Sequence, residues 1–343
     1  MARRPTIQDI AREAGVSVAT VDRVLNGRLK VREETARKVS EAAHRVGYHA
    51  TNLIEQRLRA DLPEVRLGFV LQKEKQAFYQ SFATEIEHAV RNAPGIRGRA
   101  LIEFAPSQSP TDVVAMVEGM KGRVDAVAST AVNHHLVTEA VVALKQAGTP
   151  VFALLSDFAQ GERTSYIGMN NLKVGRIAAW MLATAARKTG KIAIFVGGHR
   201  WHGHELRETG FRSYFREAQP QFQVLDTLVN LETRQLTYEA TLDLLARHPD
   251  VVGIYLAGGG MEGAIQALRE VRQQGQVALV VNELTPESRA ALSDGYVTMV
   301  ISTPLQRLCI ELVQLMTAAA TGQDPQVPSQ QFLDPVLSVP ESV

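Results

Sequence analysis

The chain has 343 residues, 45% of them hydrophobic and 21% charged, with a formal net charge of only +1. That length exceeds one ordinary domain, the composition excludes a disordered or fibrous chain, and no window holds the ~18 consecutive apolar residues of a membrane span. The charge is uneven, with 12 Lys and Arg against 7 Asp and Glu in residues 1–60 and 25 against 29 in the remainder, so a small basic module joins a larger acidic body.

The opening MARRPTIQDI is basic but lacks the apolar run of a signal peptide. The single cysteine, Cys309, lies in the apolar pattern LQRLCIELVQLM and has no partner for an intrachain disulfide. Both features lead to the expectation of a reducing, cytoplasmic setting.

The first predicted helix follows Thr6, with Asp9 three residues on, the arrangement of an N-cap that meets the free amides of the first turn. Ile10, Ala11 and Ala14 share one face, and Gly15 ends the helix because positive φ is least costly for glycine. Ser17 caps a second helix with the inward stripe Val21, Val24 and Leu25, stopped at Gly27. A third runs from about Glu33 to Val46, its acids near the positive end of the dipole. Two helices joined by a tight glycine turn and supported by a third form a helix-turn-helix plan, although small three-helix units also serve as protein-docking modules. The outward face of the second helix carries Val18, Ala19, Asp22 and Arg23.

The run TIQDIAREAGVSVATVDRVLNG, followed by VREETARKVSEAAHRVGYHA, resembles the DNA-binding headpiece of the lactose-repressor (LacI/GalR) family over about 45 residues without a gap. The resemblance implies that Val18, Ala19 and Arg23 read the major groove. Arginine suits guanine O6 and N7, and small apolar side chains suit a thymine methyl. Thr6, Ser17, Thr20 and Asn26 are expected to hold phosphate and so set register. Asp22 replaces the family's usual serine. Either it accepts from a cytosine amino group or a nearby arginine, or it caps and solvates the helix.

Beyond Gly47-Tyr48 the chain reads HATNLIEQRLRADLPEV, where the family carries a hinge helix whose leucine wedges into the minor groove. Arg57 occupies the usual leucine place and Leu58 follows it, so the expected intruder is Leu58, with Arg57 entering a narrowed groove as the alternative.

From Val65 short β-rich runs alternate with helical runs: VRLGFVLQ, RALIEFA, VDAVAST and PVFALLS, then SYIGM, KIAIFVG, FQVLDTLV, VVGIYLAG and VALVVN, and last VTMVIST with a helix over Leu305 to Thr321. Strands without alternation, each followed by a helix, predict an α/β body of two doubly wound parallel sheets. The expected division is a headpiece at 1–49, a hinge at 50–63 and a body at 64–343, with lobe one at about 64–160 and 296–325 and lobe two at about 161–295. This resembles the two-lobed body of type 1 periplasmic binding proteins that the family carries behind its headpiece.

Ligands of parallel sheets collect at the carboxyl ends of strands. Those ends present Phe78 and Tyr79, then Ser129, Asp157, Asn171, the loop HRWHGHELR with Trp201 and Arg207, a Gly258-Gly259-Gly260 run, and Asn282 with Glu283. Hydroxyls, amides, carboxylates and aromatic faces suit a polyhydroxylated ligand, a sugar or cyclitol. The resemblance singles out Arg207, in R-E-T-G-F, and Asn282 as ligand contacts. It also implies a lost side-chain ligand at Gly258 to Gly260, making room for a bulkier ligand or one held by backbone amides. His199, His202 and His204 lack helical metal spacing and supporting carboxylates, so no metal is expected, nor any cofactor or catalytic step.

The resulting expectation is a homodimeric DNA-binding repressor, not an enzyme, whose operator affinity a small sugar-like effector controls. Whether the effector releases or strengthens operator binding stays open. The alternatives are a sugar-binding transport protein and a sugar-modifying enzyme carrying a regulatory DNA-binding module.

Overall fold

A computed structural model describes residues 5–26, 31–48, 62–322 and 327–343. The chain divides into two compact units, residues 1–65 with 93–99, and residues 66–92 with 100–343.

In the first unit, α1 (Ile7–Ala14), α2 (Val18–Asn26) and α3 (Glu33–Arg45) surround a small core of Ile10, Ala11, Val21, Val24, Ala36, Val39, Ala42 and Ala43. These apolar side chains recur at helical spacing, and their burial drives the three helices together. Gly15 sits at φ +66°, and its N–H returns to the carbonyls of Ala11 and Arg12, which closes α1 and frees the chain to turn. At the N-terminus Thr6 and Asp9 form a capping box, in which the Asp9 carboxylate accepts from the Thr6 N–H (2.8 Å) and the Thr6 hydroxyl (2.7 Å).

The second unit alternates strand and helix. The elements are β1 (Glu64–Leu71), α4 (Ala77–Arg91), β2 (Arg97–Phe104), α5 (Pro110–Gly119), β3 (Ala126–Ser129), α6 (His135–Gln146), β4 (Val151–Leu154) and β5 (Ser165–Met169). Then follow α7 (Asn171–Ala185), β6 (Lys191–Val196), α8 (His202–Ala218), β7 (Gln223–Val224), β8 (Leu228–Val229), α9 (Arg234–Arg247), β9 (Val251–Leu256) and α10 (Met261–Val271). The chain ends with β10 (Ala278–Asn282), α11 (Pro286–Ser293), β11 (Met299–Ser302), α12 (Leu305–Thr321), β12 (Gln330–Leu333), β13 (Val336–Ser338) and a 3₁₀ turn, Pro340–Ser342.

Six strands form one sheet in the order β12-β5-β4-β3-β1-β2, and the other sheet runs β13-β11-β10-β9-β6-β7, with β8 also on β6. β3, β4, β5, β9, β10 and β11 are buried along their whole length, which explains their unbroken apolar sequences. Between the sheets the chain crosses after β5, after β11 and after β12, since α7 packs on the second sheet while α12 packs on α4, β3 and β5 of the first.

Two strands join the sheet opposite to the expected one. Ser165–Met169 pairs with β4 and β12 in the first sheet, and Met299–Ser302 pairs with β10 and β13 in the second. An apolar strand followed by a helix has the same pattern in either lobe, and only the pairing partner decides. FQVLDTLV is two short strands, because Thr227 between them is bonded to Glu208 and Arg212 of α8. No described helix is long and apolar enough to cross a membrane.

Candidate DNA-reading face and candidate ligand cleft

On the three-helix unit, Val21 and Val24 turn α2 inward and so fix its other face outward. Val18, 47% exposed, Ala19 and Arg23 stand on that face, with Asp22 and Thr20 half-buried at its edge. Ser17 opens the helix, its Oγ accepting the Thr20 N–H at 3.1 Å and lying 2.9 Å from the Thr20 hydroxyl. Asp22 Oδ1 accepts from Asn26 Nδ2 at 2.7 Å, one turn apart, so the departure from serine carries its own partner within the helix. Arg57 and Leu58 lie outside the described residues, as does most of the 50–63 segment.

In the larger unit, a cleft of about 850 Å³ opens where carboxyl ends of both sheets meet. One wall is set by two glycines. A side chain at Gly175 of α7 would place Cβ 1.9 Å from the Arg207 carbonyl oxygen, and one at Gly210 of α8 would place it 2.0 Å from that of Leu172. The helices therefore touch backbone to backbone, which brings Asn171, in the first turn of α7, beside Arg207. Arg207 Nε donates to Asn171 Oδ1 (2.7 Å) and Nη1 to the Ala257 carbonyl (2.6 Å), while Asn171 Nδ2 donates to the Leu155 carbonyl (3.1 Å) and the Tyr166 hydroxyl (3.2 Å). The guanidinium is held in one orientation at the cleft surface.

Three oxygens on residues of the wall are themselves buried: Gln72 Oε1, Thr130 Oγ1 against the Tyr79 hydroxyl, and Asn282 Oδ1 against that of Tyr255. The amide of Asn282 is fixed the right way round, because its Nδ2 donates to the Leu256 carbonyl at 2.5 Å. Glu283 beside it has φ +69°, and its carboxylate takes the Thr303 hydroxyl (2.6 Å) and N–H (3.0 Å). Burial nevertheless pushes its carboxyl above the usual range. Tyr79 is likewise driven up, by burial and by the nearby Glu232 charge, so its phenol is a neutral hydrogen-bonding group.

The opposite end of the cleft is ionic. Glu232 Oε2 accepts from Lys73 Nζ (2.6 Å) and Gln108 Nε2 (3.0 Å), and its Oε1 accepts the Gly259 N–H at 3.0 Å. His204 Nδ1 accepts the Gly197 N–H at 3.2 Å, which leaves Nε2 facing Glu232 Oε1 at 3.6 Å. Burial, only partly opposed by Glu232, takes the imidazole down to about 4. For Glu232 burial acts upward, but His204, Lys73 and the Gly259 N–H outweigh it and hold the carboxyl at about 2.

Of the nine cleft residues expected from the sequence, Phe78, Tyr79, Trp201, Arg207, Asn282 and Glu283 line the cleft. Three do not. Ser129 is fully buried, with its hydroxyl turned back to the Thr130 carbonyl, and Thr130 lines the cleft in its place because neighbouring strand residues face opposite sides. Asp157 is paired with buried Arg163, which donates to it from Nε and, at 2.7 Å, from Nη2, so it ties down a loop. Asn171 is buried behind Arg207 and positions it. The glycine run is not room for a ligand: a Cβ on Gly258 would meet His204 Cε1 at 2.6 Å and Glu232 Oε1 at 2.7 Å, so protein side chains already fill that space. His202 pairs with Glu205, His204 turns inward, and among the described residues no group of three His, Cys, Asp or Glu could hold a metal ion.

Lys73, Gln108, His204 and Glu232 were not singled out as ligand-site residues by the sequence. Lys73 was legible as the first charge after a buried strand, whereas Glu232 was hidden by the broken β7–β8 segment.

Two family descriptions match the chain: "Periplasmic binding protein domain" over residues 67–324 and "Bacterial regulatory proteins, lacI family" over residues 6–51. The chain is 30% identical to the ribitol operon repressor of Klebsiella aerogenes, covering 58% of this chain and 72% of that protein. It is 26% identical to the HTH-type transcriptional regulator CelR of Thermobifida fusca over 99% of this chain and 98% of that one. Among solved structures it is similar in fold to a periplasmic solute-binding protein of Actinobacillus succinogenes with bound D-allose, with a TM-score of 0.73 and 21% identity over 81% of this chain and 98% of the other.

Proposed function

Because the chain belongs to the lacI family of bacterial regulatory proteins, we propose that it is a repressor that binds a near-palindromic operator as a homodimer and responds to a sugar or cyclitol held in the cleft. The observation that carries this reading is the exposed face of α2, where Val18, Ala19 and Arg23 project from a helix whose other side is locked into the three-helix core. Arg23 reads guanine, Val18 or Ala19 contacts a thymine methyl, and Ser17, Thr20 and Asn26 sit at phosphate height. The division into a headpiece at 1–49, a hinge at 50–63 and an effector-binding body at 64–343 belongs to this proposal.

The ligand class is supported by the polar side chains of Gln72, Thr130, Asn282 and Glu283 lining the cleft, by the fixed Arg207, and by the aromatic side chains of Phe78 and Trp201 on the same wall. A sugar-like ligand is also in keeping with the relatives, one named for a ribitol operon and one structure holding D-allose. Ligand binding alters the closed state of the lobes and through it the operator-competent population. The site of action is the cytoplasm, where the operator is, and no catalytic step is assigned.

Fluorescence anisotropy with a labelled duplex pool tests the reading. Binding that selects one palindromic sequence, weakens linearly on a log-log plot against salt, and shifts with a sugar or cyclitol found by thermal-shift screening is the expected result. Equal affinity for every duplex and for competitor polymer would overturn it.

A further inference from the structure

Glu232 stands just past β8 in the second lobe, after Leu231, and both non-glycine residues hold left-handed backbone, with φ +48° at Leu231 and φ +53° at Glu232. Asn230 holds this turn, its Oδ1 accepting the Glu232 N–H at 2.9 Å and its carbonyl the Thr233 N–H at 3.0 Å, and the turn presents the Glu232 side chain to the cleft. That side chain reaches across the cleft. Lys73 and Gln108, which follow β1 and β2 of the first lobe, both donate to its Oε2, at 2.6 and 3.0 Å. From its own lobe the Gly259 N–H donates to Oε1 at 3.0 Å and His204 Nε2 faces Oε1 at 3.6 Å. The Lys73 and Glu232 side chains are only 18% and 14% exposed, so the pair is shielded from salt and water.

An ammonium, a carboxamide, a backbone N–H and an imidazole converging on one carboxylate from two walls is the donor set by which a pocket holds a small anion. The backbone is cut to fit it. Gly258 and Gly259 leave the carboxylate room, since a Cβ on either would stand 2.7 Å from Glu232 Oε1 or 3.1 Å from Glu232 Cβ. We propose that Glu232 is a tethered carboxylate ligand, seated in an anion subsite formed by Lys73, Gln108, Gly259 and His204, and that it latches the two lobes together across the cleft independently of any effector. Opening the lobes must separate Lys73 and Gln108 from Glu232. An uncharged ligand is added to this closed cleft beside the latch, whereas a ligand bearing a carboxylate competes with Glu232 for the same donors.

The test is hydrogen exchange on the full chain without any effector, followed over segments 73–79, 104–109 and 230–234, so that its outcome does not depend on DNA binding or on the identity of the effector. Glu232→Ala is expected to exchange several-fold faster in all three segments, with far segments of both sheets unchanged. Sodium formate, but not sodium chloride at the same ionic strength, is expected to restore protection by filling the vacated subsite. The Lys73→Met variant is expected to open the same segments and to ignore formate. It reads out the latch independently should Glu232→Ala fold poorly. Unchanged exchange in Glu232→Ala and Lys73→Met, or equal effects of formate and chloride on Glu232→Ala, would overturn the proposal.

Discussion

Asn171 holds Arg207 by a single hydrogen bond, Nε to Oδ1 at 2.7 Å, and Asn171 is itself fixed by the Leu155 carbonyl and the Tyr166 hydroxyl. The asparagine is therefore a positioning residue for the cleft cation. Asn171→Ala would leave Nε buried without a partner, at a cost of about 1–3 kcal/mol, and leave the guanidinium oriented by the Ala257 carbonyl alone. Titration calorimetry with a ligand identified by thermal shift should show about tenfold or greater loss of affinity. Asn171→Asp keeps the acceptor and should lose less. Equal binding by Asn171→Ala and the unaltered protein would remove Asn171 from this role.

The same contact depends on how closely α7 approaches α8. Gly175→Ala or Gly210→Ala would place a methyl inside a carbonyl oxygen of the facing helix, 1.9 or 2.0 Å away, and backbone cannot yield as a side chain does. Each substitution should destabilise the body by about 1–3 kcal/mol or more and lower the melting temperature by several degrees, as calorimetry would record. Both variants should also weaken ligand binding, because the helices must part at the level of Arg207. Gly119→Ala, with open space at its Cβ, is the control and should melt close to the unaltered protein.

These two relationships mark how far the sequence could be read. Arg207 and Gly210 stand in a recognisable R-E-T-G-F run, whereas no motif marks Gly175, and the strand-helix alternation announces two parallel sheets. Asn171 could be placed at a strand end but not behind Arg207, because its role depends on a helix contact between residues 36 positions apart. The latch escaped for the same reason at longer range: Lys73 and Glu232 are separated by 159 residues and by the interlobe crossing after β5. Sheet membership of β5 and β11 was illegible because buried parallel strands look alike whichever sheet they join. The headpiece was nearly transparent, since its contacts are local and its few core positions fall at helical spacing.

On α2, Arg23 is exposed while Val24 beside it is buried, so truncating the arginine should leave the fold intact. Arg23→Ala should lose about 1–3 kcal/mol of discrimination at one base pair in each half-site, with little change at the others. Ser17→Ala instead removes the acceptor of the Thr20 N–H and any phosphate contact, so it should weaken binding to all duplexes alike. Anisotropy against a set of single-base operator variants separates the two patterns. A uniform loss for Arg23→Ala would assign that residue to phosphate.

Acid should weaken the body through His204 first. Buried beside Arg207 and Lys73, the imidazole is held at about 4 against an ordinary 6.5, so below pH 6.5 the unfolded chain takes up a proton that the folded chain refuses. The contribution is thus present above pH 6.5 and lost as pH falls towards 4, by up to roughly 3 kcal/mol. Glu232, held at about 2 against 4.5, adds a further loss of the same sign below pH 4.5. Melting temperatures of the unaltered protein should therefore fall between pH 6.5 and 4 more steeply than those of His204→Gln, which keeps an acceptor for the Gly197 N–H but has nothing to titrate. Parallel melting curves for the two proteins across that window would show that the imidazole is not buried neutral in the folded state.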